Sequence, residues 1–321
     1  MTSRIEHEAV LASVEYLERV HGFAVSFVDA DATGLVPAAV LRAVLRPDTT
    51  LVTIGWANNE VGTVQDIRTL AAAAHEVGAL FHTDAVQAAA SLPVDVGALG
   101  VDALTLSGHK LGAPKGSGAA YVRAGLPLEP LLHGGGQERG RRSGTENVAW
   151  AVALAAACAE LESARAHSVD GANRAEATTA ETRSSVVHSA GGVDRAEATT
   201  GADRAGADRD AFIGAVLAGV PEARLTGHPH ARLPHHASFV VPGVNGETVL
   251  LELERRGVLA SAGSACAAGR TEPSYVLLAL GLTTDEASAA LRFTWADDVS
   301  AADLQTAASA VIESVAAVRR Q

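Results

Sequence analysis

Between Phe23 and Val122 the chain alternates short β-like runs with helical patterns, and that alternation limits the folds open to it more than any other feature. The runs are Phe23–Val28, Leu51–Trp56, Ala79–Thr83, Ala103–Leu106 and Ala119–Val122. Helical periodicity marks Ile67–Val77 and, ahead of the first run, Ala9–Val20, where apolar residues stand at 10, 14 and 17. Ser3 and Glu6 have the spacing of a capping box for that first helix. Successive strands joined by helices pair in parallel, which predicts an α/β fold whose ligands sit at the strands' C-terminal ends. Aromatic residues make up only 4% of the chain, so its core has to be built from Ala, Val and Leu.

Residues 147–165 read as one long helix, with Cys158 set among alanines as a small buried apolar residue. Ala237–Val241, Val258–Ser261 and Leu291–Phe293 then read as strands, and Gly246–Arg255, Pro273–Ala279 and Ala301–Val318 as helices. The expected organisation is a large domain over 1–165, a low-complexity insert over 166–210 and a small α+β domain over 211–321. The insert repeats RAEATT at 174–179 and 195–200 and holds hardly any large apolar residue. It is expected to be disordered or a solvated helical extension, without chemistry of its own.

A net charge of −12, with no basic run, argues against nucleic acid as a partner. No stretch approaches the roughly 20 apolar residues that span a bilayer. Cys158 and Cys266 are the only cysteines, too few for a disulfide framework, and MTSRIEHEAV holds no apolar signal core. The expectation is a cytoplasmic protein. The run HPHARLPHH carries His228, His230, His235 and His236, but two prolines break it and no Cys or acidic residue joins it. A polar turn leading into a strand is the better reading than a metal site.

The chemistry gathers elsewhere. Lys110 and Lys115 are the only lysines among 25 Lys and Arg residues, and both lie in LTLSGHKLGAPKGSG. A primary amine forms a Schiff base with an aldehyde and a guanidinium does not, which is a chemical reason to keep lysine at 110. Lys115 has no such account. Asp84, at the end of FHTD, suits the pyridine nitrogen of pyridoxal phosphate, although a helix-capping role would also explain it. Ser107-Gly108-His109 and Ser143-Gly144-Thr145 offer turns for a phosphate. Cys266 lies in SAGSACAAGR, a run of small residues where a nucleophilic thiol fits. Arg292, inside the apolar ALRFT, needs a carboxylate partner, either a substrate's or a structural one.

Taken in order, EHEAV, NNEVGTVQDI, HTDAVQ, SGHKLGAPKGSGAAYVR, HGGGQERGRRSGTEN, SAGSACAAG, EPSYVLLALGL and LRFT resemble the NifS/IscS-like cysteine desulfurases of the class V aminotransferase family. The resemblance implies the pyridoxal phosphate-dependent transferase type I fold, with a mainly parallel, seven-stranded-type sheet. It implies Lys110 as the Schiff-base lysine, Asp84 on the pyridine nitrogen, His7 stacked on the ring and moving protons, and Gln87 on the phenolic oxygen. Asn59 would lie near the substrate carboxylate and Arg292 would clamp it. Ser107 and His109 would hold the phosphate, joined by Thr145 from the other subunit of a homodimer. Cys266 would take sulfur from L-cysteine as a persulfide, leaving alanine, and pass it to an acceptor protein for iron–sulfur cluster assembly or thiolation.

The same resemblance implies several dozen residues ahead of EHEAV, including a strand and a small-residue turn at the phosphate. Relative to that pattern the chain is N-terminally truncated, with an expected weakening of cofactor retention. A selenocysteine lyase or another class V enzyme is the alternative activity, and the GSAC cysteine favours the desulfurase. The alternative of a different class is a homologue kept as a dimer or scaffold without turnover.

Overall fold

A computed structural model describes residues 1–183, 201–262 and 272–320; for 166–183 and 201–203 it describes the backbone alone. The first sheet is built from β1 (Thr2–Ser3), β2 (Phe27–Val28), β3 (Leu51–Thr53), β4 (Leu80–Asp84), β5 (Ala103–Ser107) and β6 (Gly118–Val122). Their order is β2-β1-β3-β4-β5-β6, parallel throughout except for β6, which runs antiparallel to β5. The sheet thus has six strands among the described residues, where the family resemblance implied a seven-stranded type.

The connecting helices are α1 (Glu8–His21), α2 (Ala38–Val44), α3 (Ile67–His75) and α4 (Val96–Leu99). Asp66 caps α3 by accepting from the Thr69 amide, and Ile67, Leu70, Ala71, Ala73 and Ala74 are buried. They pack against Val52, Ile54, Phe81 and Leu104 of the sheet. Small residues along one side of α3 let helix and sheet approach closely, which suits an aromatic-poor core.

The expected capping box of α1 is not formed. The N-cap is His7, whose side chain accepts from the Ala9 amide, and Ser3 belongs to β1 instead. Ser3 and Glu6 do bond to each other, but inside the protein, because the chain turns between β1 and α1 and carries Glu6 beneath the sheet edge. The expected strand Phe23–Val28 shortens to its last two residues; Phe23 itself is on the surface.

After β6 the chain enters α5 (Val148–Arg183), and α6 (Gly201–Gly219) follows. The last turns of α6 are anchored: Phe212 and Val216 lie in the second core, and the buried Arg209 donates through Nη1 to the carbonyls of Arg232 and Leu233. The second sheet is antiparallel, in the order of β7 (Arg224–Leu225), β8 (His236–Val240) and β9 (Ala290–Thr294). Helices α7 (Gly246–Arg255), α8 (Tyr275–Ala279), α9 (Thr284–Ser288) and α10 (Ala301–Arg319) complete it. Phe212, Phe239 and Phe293 meet edge to face with centroids 5.3–6.2 Å apart, concentrating the few aromatics in one place. Of the expected strand Val258–Ser261, only Ser261 pairs, in an isolated bridge to Arg292. A third cluster, with Ile5, Val61, Val240, Val276 and Leu277, joins the two sheets beside the C-terminal edge of the first.

Candidate active site

The parallel strands β3, β4 and β5 end on one edge, and the chain beyond β3 stays in register with β4. Ile54 donates to the His82 carbonyl at 3.2 Å and Trp56 to the Asp84 carbonyl at 2.9 Å. Asp84 is the last residue of β4, and its Oδ1 accepts from the Val86 amide at 2.9 Å. Gln87 follows, half-buried. His82 bridges three strands, with Nδ1 2.7 Å from Thr53 Oγ1 and Nε2 3.2 Å from Thr105 Oγ1. Burial lowers its pKa, against the pull of Asp84.

Ser107 ends β5, and its Oγ lies 2.7 Å from His109 Nδ1. The following 3-10 turn, Gly108–Lys110, leaves His109 and Lys110 exposed at the strand end. Glycine at 108 is required by packing: a Cβ there would stand 2.0 Å from Ser117 Oγ. Lys115 is also exposed, one turn further on.

The turn between β1 and α1 reaches the same edge. Glu6 is buried, with Oε1 accepting from Ser3 Oγ at 2.6 Å and Oε2 from the Gly55 amide at 2.7 Å. Burial raises this carboxyl to about 7, opposed by the bonds from Ser3 and Gly55 and assisted by nearby Asp84. His7 is exposed next to it; because Nδ1 accepts from the Ala9 amide at 3.1 Å, its neutral form carries the proton on Nε2.

The second sheet contributes Arg292. From the middle of β9 its Nη1 donates to the Asn59 carbonyl at 2.9 Å, so the arginine is joined to the half-buried loop after β3. Glu60 is buried alongside and accepts a short bond from Ser274 Oγ. Burial raises the Glu60 pKa, while Ser274, Arg292 and His7 act against that rise, which puts both side chains within electrostatic reach of its carboxylate. Tyr275 Oη donates to the Glu6 carbonyl at 2.7 Å and ties α8 to the same turn.

Asp84, Gln87, Ser107, His109, Lys110, His7, Asn59 and Arg292 thus come from distant parts of the chain to one strand edge and the loops above it. Thr145 lies exposed on the loop before α5. Cys266 falls in 263–271, outside the described residues. Glu6, Glu60, Ser274 and His82 were not expected there. Their signal in the sequence is faint: polar residues inside the EHEAV, NNEVG, EPSYV and HTDAVQ stretches, with no local pattern to mark them. The histidine run forms a turn in which His228 Nδ1 accepts the amides of His230 and Ala231 at 3.1 and 2.8 Å.

As a donor set, the edge offers a carboxylate, an amide, a hydroxyl–imidazole pair and a primary amine. That set can bind a ligand carrying a basic ring, a phenolic oxygen, an anionic group and an aldehyde. Comparison with known proteins points the same way. The aminotransferase class-V family model matches residues 1–207. A cysteine desulfurase of Gluconacetobacter diazotrophicus is 41% identical over 304 residues, covering 95% of this chain and 68% of that protein. A solved NifS-like protein superposes with a TM-score of 0.78 at 29% identity, over 98% of this chain and 74% of that one. A structure described as SspA in complex with cysteine gives 0.66 at 32% identity, over 91% and 72%. The chain belongs to the class V aminotransferase family, within its NifS/IscS-like cysteine desulfurase group. It spans about two thirds of the length of the curated relatives it matches.

Proposed function

We propose that this chain is a pyridoxal phosphate-dependent cysteine desulfurase, converting L-cysteine to L-alanine and collecting the sulfur as a persulfide on Cys266. One observation carries the reading. A carboxylate and a primary amine, Asp84 and Lys110, follow adjacent parallel strands at the same edge, and Arg292 reaches that side from the second sheet. The name of the desulfurase relative and the cysteine bound by SspA supply the substrate.

The residues present fit the cofactor by their chemistry. Asp84 would face the ring nitrogen, Gln87 the phenolic oxygen, Ser107 and His109 the phosphate, and Lys110 the aldehyde carbon. When bound, pyridoxal phosphate supplies an electron sink for bond breaking at the substrate α-carbon. The remaining work belongs to side chains. Arg292, oriented by the Asn59 carbonyl, binds the substrate carboxylate, and Asn59 lines that pocket. His7, whose ring is oriented by the Ala9 amide at Nδ1, would move a proton at its imidazole. The Cys266 thiolate accepts the sulfur and passes it to an acceptor protein in cluster assembly or thiolation.

A homodimer is part of the proposal, with Thr145 completing the phosphate site of the second subunit. Its support is an apolar surface around that residue: Leu131 is 94% exposed, Val148 67% and Val152 63%. The acidic composition and the small cysteine count favour the cytoplasm, and among the described residues no helix is long and apolar enough to cross a membrane.

The test is to load the full chain with pyridoxal phosphate, add L-cysteine and measure alanine, sulfide and persulfide. Alanine formed in step with a persulfide that vanishes in Cys266→Ala supports the reading. Alanine released from selenocysteine but not from cysteine would favour the lyase instead.

A further inference from the structure

Residues 4–7, which connect β1 to α1, are held at more points than a surface turn requires. Asn58 Nδ2 donates to the Ile5 carbonyl at 2.9 Å and Tyr275 Oη to the Glu6 carbonyl at 2.7 Å. The Glu6 carboxyl adds two bonds of its own, from Ser3 Oγ at 2.6 Å and Gly55 N at 2.7 Å. Gly55 leaves the space that this carboxyl fills, since a Cβ there would stand 2.9 Å from Glu6 Oε2. The same point is 3.9 Å from the Asp84 carbonyl oxygen, so the Glu6 carboxyl and the end of β4 flank the same glycine. A neutral amide would fill that space without burying a charge. A glutamate only 5% exposed, next to His7 in the chain and within electrostatic reach of Asp84, therefore calls for a role that its shape alone does not explain.

We propose that Glu6 is a positioning residue of this site, fixing the turn that presents His7 and, when ionised, setting a second negative charge beside Asp84. The inference rests on the functional reading above for what His7 and Asp84 do, but not for how Glu6 holds the turn. The ionisable group that acts on it is Asp84 from β4; the Tyr275 phenol from α8 bonds its backbone carbonyl, and the adjacent His7, with Arg292, acts on Glu60. Burial moves the Glu6 carboxyl up to about 7, helped by Asp84 and opposed by Ser3 and Gly55. Its folded state thus keeps a proton that the unfolded chain releases near 4.5. From about pH 4.5 to 7 the folded chain loses stability as pH rises, and above that range the loss is complete.

Two variants separate position from charge. Glu6→Gln keeps the shape and the Gly55 bond, and Glu6→Ala removes both. In the cofactor-free chain, Glu6→Gln should melt with wild type at pH 5 and above it at pH 8; parallel melting curves across that range would overturn the charge assignment. In histidine-labelled protein, Glu6→Ala should erase the Nε2–H preference of His7 and the protection of the Ala9 amide. Unchanged His7 and Ala9 signals would overturn the positioning role. In the loaded enzyme, Glu6→Gln should lose a step near pH 7 in kcat, and Glu6→Ala should lower kcat about tenfold with KM within about twofold. An inert wild-type enzyme would refute the desulfurase reading while the melting and histidine experiments still decide the role of Glu6.

Discussion

The turn at residues 4–7 and the turn at residues 107–110 stand at the same edge of the same sheet, the one fastened mainly by side chains and the other mainly by backbone. The first is fastened through Asn58, Tyr275, Ser3 and Gly55, with a buried carboxyl at its centre. The second is held by backbone bonds at a buried glycine, Gly108 N to the Ser117 carbonyl and the Leu111 and Ala113 amides to the Gly108 carbonyl. It has one side-chain contact, Ser107–His109, and it leaves His109 and Lys110 open to solvent. A group that holds a proton or orients a neighbour gains from being fixed before the ligand arrives. A lysine that must form and release a covalent bond gains from freedom at its Nζ. The contrast divides the site into a preorganised side and a reactive side.

The largest expected effect breaks the reactive side. Lys110→Arg keeps charge and length but not the primary amine, so desulfurase turnover should fall by about 10³-fold or more. Because Lys110 is exposed, melting should move by no more than about 2 °C. A comparable loss of stability would mean that the turn is structural after all. Next comes the bridge between the sheets. Arg292→Leu removes the bond to Asn59 and the cation offered to substrate, and should raise KM for L-cysteine about thirtyfold, with a smaller fall in kcat. An unchanged KM would assign Arg292 to the fold alone.

Smaller effects test the frame beneath each turn. Asp102, just ahead of β5, is buried; it accepts from the Phe81 amide at 2.8 Å and Arg123 Nε at 2.7 Å, and lies 2.8 Å from His75 Nε2. Burial pushes its carboxyl up, but the bonds from His75, Phe81 and Arg123 outweigh that and hold it below the usual range. The carboxylate therefore contributes stability above its unfolded pKa, and the contribution is lost as pH falls through the lower folded value. Asp102→Ala should cost about 2 kcal/mol in denaturant unfolding at pH 7, leaving the Phe81 amide unpaired, and should flatten the acid limb of the stability curve. Gly22 ends α1 at φ 71° with open space around a would-be Cβ. Gly22→Ala should cost only about 1 kcal/mol, the backbone term by itself.

Much of the frame was legible in the sequence. The strands at 51, 80, 103, 118, 236 and 290, and the helices starting at 67, 246 and 301, fall within a residue or two of their expected positions, because hydrophobic periodicity reports burial. The two-residue strand Thr2–Ser3 escaped notice, since a buried polar pair has no hydrophobic pattern. Helix α2, seven residues behind Pro37, is too short to show a clear period. In the site, Lys110 stood out because the chain has so few lysines and because imine chemistry needs one. Glu6 was misread for a physical reason: Ser3 and Glu6 have capping-box spacing and do bond, but as a buried pair below the sheet edge. Glu60 and Ser274 are 214 residues apart, and no local pattern announces their contact.

The central claim, that Lys110 is the residue on the reactive side that engages the cofactor aldehyde, has a direct measurement. The chain is loaded with pyridoxal phosphate, reduced with borohydride and mapped by peptide mass. A pyridoxyl label on Lys110, with Lys115 unmodified, is the result the account predicts. A label on Lys115, or on neither lysine, would contradict it.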